Sequence, residues 1–178
     1  MQFDELKSLI ETRQACRDFD GKKVDMQTLE KICDLARLSP SACNSQPWKM
    51  HIVNDGQIFN EVMDALTKGG RNQFLKQAGA FICLSEKANA LKPDVEKKFG
   101  ISFFVQYDIG ELIAYITLIA ESLGVKTCVI GWMDGDKMGK VLELKDKERC
   151  NIVVALGYSN APIREKKRKS KEEVVIIR

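Results

Sequence analysis

Residues 39–48 read SPSACNSQPW, Ser39 to Trp48, and the rest of the chain is read outward from this stretch. Two prolines bracket a run of small polar residues, and a large aromatic closes it. An ordinary turn needs one or two such residues. Ser39, Ser41, Asn44, Ser45 and Gln46 together form a row of donors and acceptors suited to a flat, polar ligand.

The flanks alternate between two periodicities. Upstream, Asp25 is a candidate N-cap for a helix whose buried side holds Leu29, Ile32, Cys33, Leu35 and Ala36. Before it, Phe3, Leu6, Leu9 and Ile10 predict a first helix over residues 3–14. Downstream, WKMHIV predicts a strand, residues 57–67 a helix, and AFICL at 80–84 a strand covered on both faces. Residues 88–100, polar and broken by Pro93, read as a connecting excursion. A long helix follows over about 102–123, with Val105, Ile109, Leu112, Ile113, Ile116, Ile119, Ala120 and Leu123 inward and Gly124 as its C′ residue. Its apolar stripe is wider than a surface helix requires, so it is central to the core or shared with a second subunit. VKTCVI and NIVVAL predict two more strands around the short helix GDKMGKVLEL, and EEVVIIR closes the chain in a strand-like run. There is no G-x-G-x-x-G and no regular βαβ repeat, which argues against a Rossmann domain. The order fits an α+β fold, one sheet with helices around it, in a single domain spanning 1–178.

Composition narrows the function. The longest uncharged apolar run, LIAYITLIA from Leu112, is far shorter than the ~20 residues of a membrane span, and the N-terminal stretch shows no apolar signal region. A cytoplasmic protein is expected. Six cysteines, at 16, 33, 43, 83, 128 and 150, are scattered without C-x-x-C spacing, and His51 is the single histidine, so no metal site is expected. Net charge is +3, but residues 161–171, APIREKKRKSK, hold six basic residues against one acid, leaving −2 elsewhere. That is a near-neutral domain with a basic segment, and without aromatic-basic interleaving it does not read as a nucleic-acid binder.

Three separated segments then share one pattern: ETRQACRDF at 11–19, the SPSACNSQPW loop, and GYSNAPIREKKRKSKEEVV at 157–175, with SLGVKTCVIGW between the last two. Together they resemble the nitroreductase family of FMN-dependent oxidoreductases in its small, single-domain form, from Arg13 to Val175. The resemblance implies a central, mostly antiparallel sheet flanked by helices. It also implies a homodimer with two FMN sites at the interface, and a C-terminal strand exchanged between the subunits, which would give EEVVIIR its partner.

The resemblance also assigns roles. Arg13 and Arg17, four apart and one helical turn from each other if the helix runs through them, would take the FMN phosphate. Arginine's fork suits phosphate oxygens, although spacing alone favours two solvated arginines after a helix. Ala15 stands between them and offers only its backbone N–H, and Gln14 becomes a candidate contact to the ring edge or ribityl chain. Lys166 and Arg168 match the family's basic pattern before the last strand, with Lys167, Lys169 and Lys171 facing water. Pro40, Ser41, Ala42 and Asn44 would lie against the flavin from the partner subunit, while Gln46 and Trp48 shape the loop. After VKTCVI, the backbone of Ile130, Gly131 and Trp132 would run along the ring, with an N–H directed at flavin N5. Asn72 would meet the pyrimidine edge, in a register shared with Arg71. Cys43 is no nucleophile candidate, because nothing near it supplies an activating base.

The implied reaction is hydride transfer from NAD(P)H through flavin N5 to an electron-poor acceptor such as a nitroaromatic or quinone, by a ping-pong sequence; no side chain need act as acid or nucleophile. Residues 88–107 would form the substrate-side cover, with Phe99, Phe103, Phe104 and Tyr107 as lining candidates or as simple core. Two rival readings remain. One is a reductase of the same fold with a narrow substrate. The other is a non-catalytic flavin-binding or nucleic-acid-binding module using the basic tail.

Overall fold

An uninterrupted apolar strand can only be satisfied by cover on both faces, and β2 (Ala80–Glu86) is buried from Ala80 through Ser85. In this computed structural model, which describes residues 2–88 and 91–178, β2 lies inside a four-stranded sheet of order β1-β2-β4-β3. Its partners are β1 (Trp48–Val53), β3 (Lys126–Ile130) and β4 (Arg149–Gly157), and every neighbouring pair is antiparallel. Side chains alternate across a strand, so each face gathers its own core. Ile82, Leu84, Val154 and Leu156 meet Leu29, Ile32 and Ala36 of α2 (Met26–Ala36) and Ile109, Leu112 and Ile116 of α5 (Val105–Ser122). On the opposite face, Phe81, Cys83, Val153 and Ala155 pack with Phe59, Val62 and Leu66 of α3 (Gly56–Thr67) and Met138 of α6 (Gly135–Val141).

Local signals set the helix ends. Asp25 caps α2 by accepting from the Thr28 N–H at 2.8 Å. Gly124, at φ 75°, follows the end of α5 in the left-handed conformation that suits glycine. Among the described residues no helix is long and apolar enough to cross a membrane.

Four expectations change. First, α1 (Phe3–Thr12) stops before Arg13. Arg13 to Arg17 are therefore extended, not a helical turn, and residue 15 forms an isolated parallel bridge with Thr127. Second, Pro93 opens a helix, α4 (Pro93–Phe99), instead of breaking one, because a first-turn N–H has no intrahelical partner to lose. Asn89 and Ala90, part of the predicted excursion and of the predicted cover, lie outside the described residues. Third, Leu35 and Leu123 are exposed; each lies off the face that its helix turns to the sheet. Fourth, the strand-like ending begins as a short helix, α7 (Lys171–Val174), held by a reciprocal Ser170–Glu173 capping box. Val174 through Ile177 are exposed. A strand needs a neighbour for its hydrogen-bond ladder, and the tail has none among the described residues of its own chain.

Candidate active site

The free edge of β3 organises the site. The Cys16 N–H donates to the Thr127 carbonyl at 2.7 Å, and Cys16 is buried in the core. That bond, with the bridge of residue 15 to Thr127, aligns residues 13–17 alongside β3. In extended backbone, residues 13, 15 and 17 share one side. The two arginines thus stand ~13 Å apart along the backbone instead of the single helical turn expected.

The chain returns to this edge after β4. The Asp20 N–H donates to the Tyr158 carbonyl at 2.9 Å. Gln14 Nε2 donates to the Pro162 carbonyl at 3.1 Å, and Gln14 Oε1 accepts from Arg164 N at 3.0 Å and Nε at 3.2 Å. Arg164 also donates to the Ala15 carbonyl, and Lys166 Nζ to the Arg13 carbonyl. The tail therefore runs antiparallel to residues 13–20 and delivers Lys166 beside Arg13.

These cations crowd one another. Burial first, then the Arg13 and Arg168 guanidiniums, hold Lys166 below the usual lysine range, while Glu121 pulls the other way. Arg17 and Arg164 both act on the Cys128 thiol, whose pKa burial nevertheless raises. Among the described residues, none of Arg13, Arg17, Arg164, Lys166 and Arg168 forms an ion pair. Glu121, the acid acting on Lys166, is itself paired with Lys126 at 2.7 Å. A cluster of like charges none of which forms an ion pair fits a multivalent anion, and a flavin phosphate meets that requirement.

At the far end of β3 lies a second group. Trp132 is 61% exposed, and the Arg71 guanidinium carbon stands 3.6 Å from its ring centroid. Asn72, in the left-handed conformation at φ 48°, donates from Nδ2 to the carbonyls of Leu66 (3.0 Å) and Trp132 (3.2 Å). It thus ties the end of α3 to the backbone after β3, and its Oδ1 remains as an acceptor. A Cβ on Gly131 would meet only Ile152 Cδ1, at 3.6 Å, so the chain's own packing does not demand glycine here. An edge of about five residues, or ~17 Å, separates Thr127 from Trp132. That leaves room for an elongated ligand with an anionic end and a flat end.

The SPSACNSQPW loop is rigid but stands elsewhere. Cys43, Asn44 and Gln46 all have positive φ, at 54°, 54° and 46°. The strain is held by Gln46, whose N–H donates to Ser41 Oγ at 2.9 Å and whose Nε2 donates to Asn44 O and Oδ1 at 3.2 and 3.1 Å. Asp108, buried on α5, accepts from the Ala42 N–H at 3.0 Å. These bonds fasten Pro40, Ser41, Ala42 and Asn44 to α5 and not to the β3 edge. One chain thus brings together Arg13, Gln14, Ala15, Lys166 and Arg168, with Arg17 further along the strand, and at the other end Asn72, Ile130, Gly131 and Trp132; the loop stays apart. The largest cavity described, ≈ 580 Å³ between α6 and the start of β4, contains none of these residues and is not assigned to the chemistry.

Sequence reasoning missed Arg164 and Asp108. Arg164 carried a usable signal, since Arg164, Lys166 and Arg168 alternate at period two and an extended tail turns all three the same way. Asp108, hidden in an apolar helix face, carried none.

Burial pushes Cys150 up to about 12 and Cys33 to about 11, with Cys83 also raised. His51 Nε2 lies 2.8 Å from the buried Ser85 Oγ, and burial, then Lys49, hold its pKa below 6.5. The sign follows: the unfolded chain takes up this proton first, so the stability His51 contributes is present above pH 6.5 and is lost as pH falls towards the folded value. His51→Gln should therefore lose less thermal stability than the parent between neutral pH and about pH 5, measured as the difference in Tm between the two proteins.

The family model for the nitroreductase family matches residues 10–158. An oxygen-insensitive NADPH nitroreductase of Helicobacter pylori is 26% identical, over 95% of this chain and 94% of its own. A protein of Archaeoglobus fulgidus, provisionally named NADH dehydrogenase/NAD(P)H nitroreductase, is 30% identical over 87% of this chain and 86% of its own. Among solved structures, a nitroreductase family protein of Streptococcus pneumoniae superposes with a TM-score of 0.83 at 22% identity, covering 99% of this chain and all of that one. An oxidoreductase described as containing FMN superposes at 0.72 and 21% identity, over 86% of this chain and 76% of its own. The antiparallel sheet with helices on both faces is thus the nitroreductase fold, and the chain belongs to the nitroreductase family.

Proposed function

We propose that this protein is an FMN-dependent NAD(P)H oxidoreductase, folded as a single domain, that reduces an electron-poor small molecule such as a nitroaromatic or quinone by a ping-pong sequence. The observation that carries the reading is the cation cluster, without ion pairs of its own, assembled from residues 13–17 and 164–168 at one end of an open sheet edge. The names of the relatives, nitroreductases using NADPH or NAD(P)H, and of an FMN-containing neighbour agree with it.

Arg13, Arg17, Lys166 and Arg168 would hold the FMN phosphate, with Ala15 beside the ribityl chain, while the Gln14 amide is turned to the tail. The backbone of Ile130, Gly131 and Trp132 would border the ring near N5, and Asn72 would approach its pyrimidine edge. Bound FMN supplies the two-electron chemistry; the protein supplies position and charge. The Pro40–Asn44 loop would close the site from a second copy, because its own chain holds it on α5. A homodimer also accounts for the exposed Phe3, Ile10, Ile176 and Ile177, with the tail as an arm around the partner.

A second reading has one observation in its favour. Phe99, Phe103, Phe104 and Tyr107 form a chain of ring contacts with centroids 4.9 to 5.8 Å apart, and three of the four are exposed. Such a surface suits a narrow choice of flat aromatic acceptor.

The test is a visible spectrum of the purified protein, supplied with FMN if colourless, before and after anaerobic NADH or NADPH. A flavin spectrum that bleaches, and recovers on adding a quinone or nitroaromatic, is expected. A protein that neither takes up FMN nor oxidises either nicotinamide would sink the proposal. A panel of acceptors separates the broad from the narrow enzyme.

A further inference from the structure

Between Tyr158 and Ser170 the tail belongs to no helix or strand, yet it must present Lys166 and not Lys167 to Arg13. Alternation makes this a matter of register: slipping an extended segment by one residue turns every side chain to the other side. No strand ladder sets that register here. One side-chain amide spans it. Gln14 Oε1 receives both Arg164 N and Arg164 Nε, which uses its two lone pairs, while Nε2 donates to the carbonyl of Pro162. Arg164 then reaches back to the Ala15 carbonyl. The amide therefore grips the tail on two residues that flank Ile163, and the next residue but one after Arg164 is Lys166.

We infer that Gln14 and Arg164 form a latch that sets the register of the tail, so that Gln14 is a positioning residue for phosphate recognition and confers preference for FMN over riboflavin through Lys166. The inference rests on the FMN reading above and gives Gln14 a role different from direct contact with the ring or ribityl chain. Arg164 serves the latch with its backbone N–H, Nε and Nη2, and its charge adds to the cluster.

The experiment is a double-mutant cycle of Gln14→Leu and Lys166→Met in the full chain, reading the dissociation constants of FMN and riboflavin from flavin fluorescence. Hydrogen exchange at the Arg164 amide of the flavin-free protein is read alongside. Gln14→Leu should weaken FMN about tenfold, the scale of one charge-assisted contact, and leave riboflavin unchanged. In the Lys166→Met background it should do little more, and the Arg164 amide should exchange faster once its acceptor is gone. Equal weakening of FMN and riboflavin would assign Gln14 to direct contact or to general folding and overturn the inference. So would an undiminished effect without Lys166, or no effect on FMN. An Arg164 amide that exchanges no faster overturns the latch by itself, whether or not flavin binds. A parent protein that binds neither flavin overturns the FMN reading, and the phosphate role of Gln14 falls with it.

Discussion

Gly79→Ala should lower the melting temperature by about 10 °C, the consequence of about 3 kcal/mol of overpacking in a chain of this length. A Cβ at Gly79 would lie 2.3 Å from the Lys22 carbonyl oxygen and 3.1 Å from the Val24 N, and both are backbone atoms. Neither can step aside cheaply. The Gly79 N–H is bonded to Leu156 O at 2.8 Å at the start of β2, and the Gly21 N–H to Gln77 O at 3.1 Å, so both sides of the crossing are tied down. Val24 is fully buried against the α2–α5 face of the sheet. The segment before α2 thus crosses β2 at a distance only glycine permits. Gly139→Ala is the control: it sits in α6 with open space around the added carbon, and should gain ~0.5–1 kcal/mol from helix propensity. Differential scanning calorimetry of the two variants decides the matter. A Gly79→Ala protein that melts no lower than Gly139→Ala would show that the crossing is not as close as described.

The second large effect concerns the cation cluster. Replacing Arg13 and Lys166 together by Met should weaken FMN about a hundredfold, the loss of two charge-assisted contacts allowing for their coupling, and leave riboflavin nearly unaffected. The parent's preference for FMN should shrink as salt rises, because the cluster is only partly buried. It should shrink with pH as well. Lys166 already sits below the usual lysine range through burial and its neighbours Arg13 and Arg168. Rising pH therefore removes its proton, and with it its pull on phosphate, earlier than for an ordinary lysine; a bound dianion would raise the value again. Titration calorimetry of both flavins across pH and salt reads all three effects. A double variant that keeps its preference for FMN would move the phosphate elsewhere, with Arg17 the next place to look.

Much of this protein was written in local patterns. The apolar run of β2 announced a central strand, Asp25 announced the start of α2, and Gly124 the end of α5, because each depends on burial periodicity or on a cap within a few residues. The SPSACNSQPW loop announced its run of polar donors and acceptors, and Ser41, Asn44 and Gln46 bond to one another across at most five positions. Where two periods were compatible with the residues, local reading failed. Arg13 and Arg17 satisfy a helical turn and an extended alternation equally, and the choice fell to the Cys16–Thr127 hydrogen bond, more than a hundred residues away along the chain. The last segment failed for a related reason, since a run of Val and Ile becomes a strand only where another strand offers a ladder, while the Ser170–Glu173 cap is always at hand.

The sequence by itself determined the four strands of the sheet, the helices that cover it, and the family, since these rest on neighbours in the chain and on motifs legible in order. Only the tertiary structure decided which cations meet, that Gln14 and Arg164 stand 150 positions apart yet share hydrogen bonds, and that the polar loop turns away from the β3 edge. Those outcomes depend on closing long loops onto one sheet edge, and no local pattern records where such a loop will land.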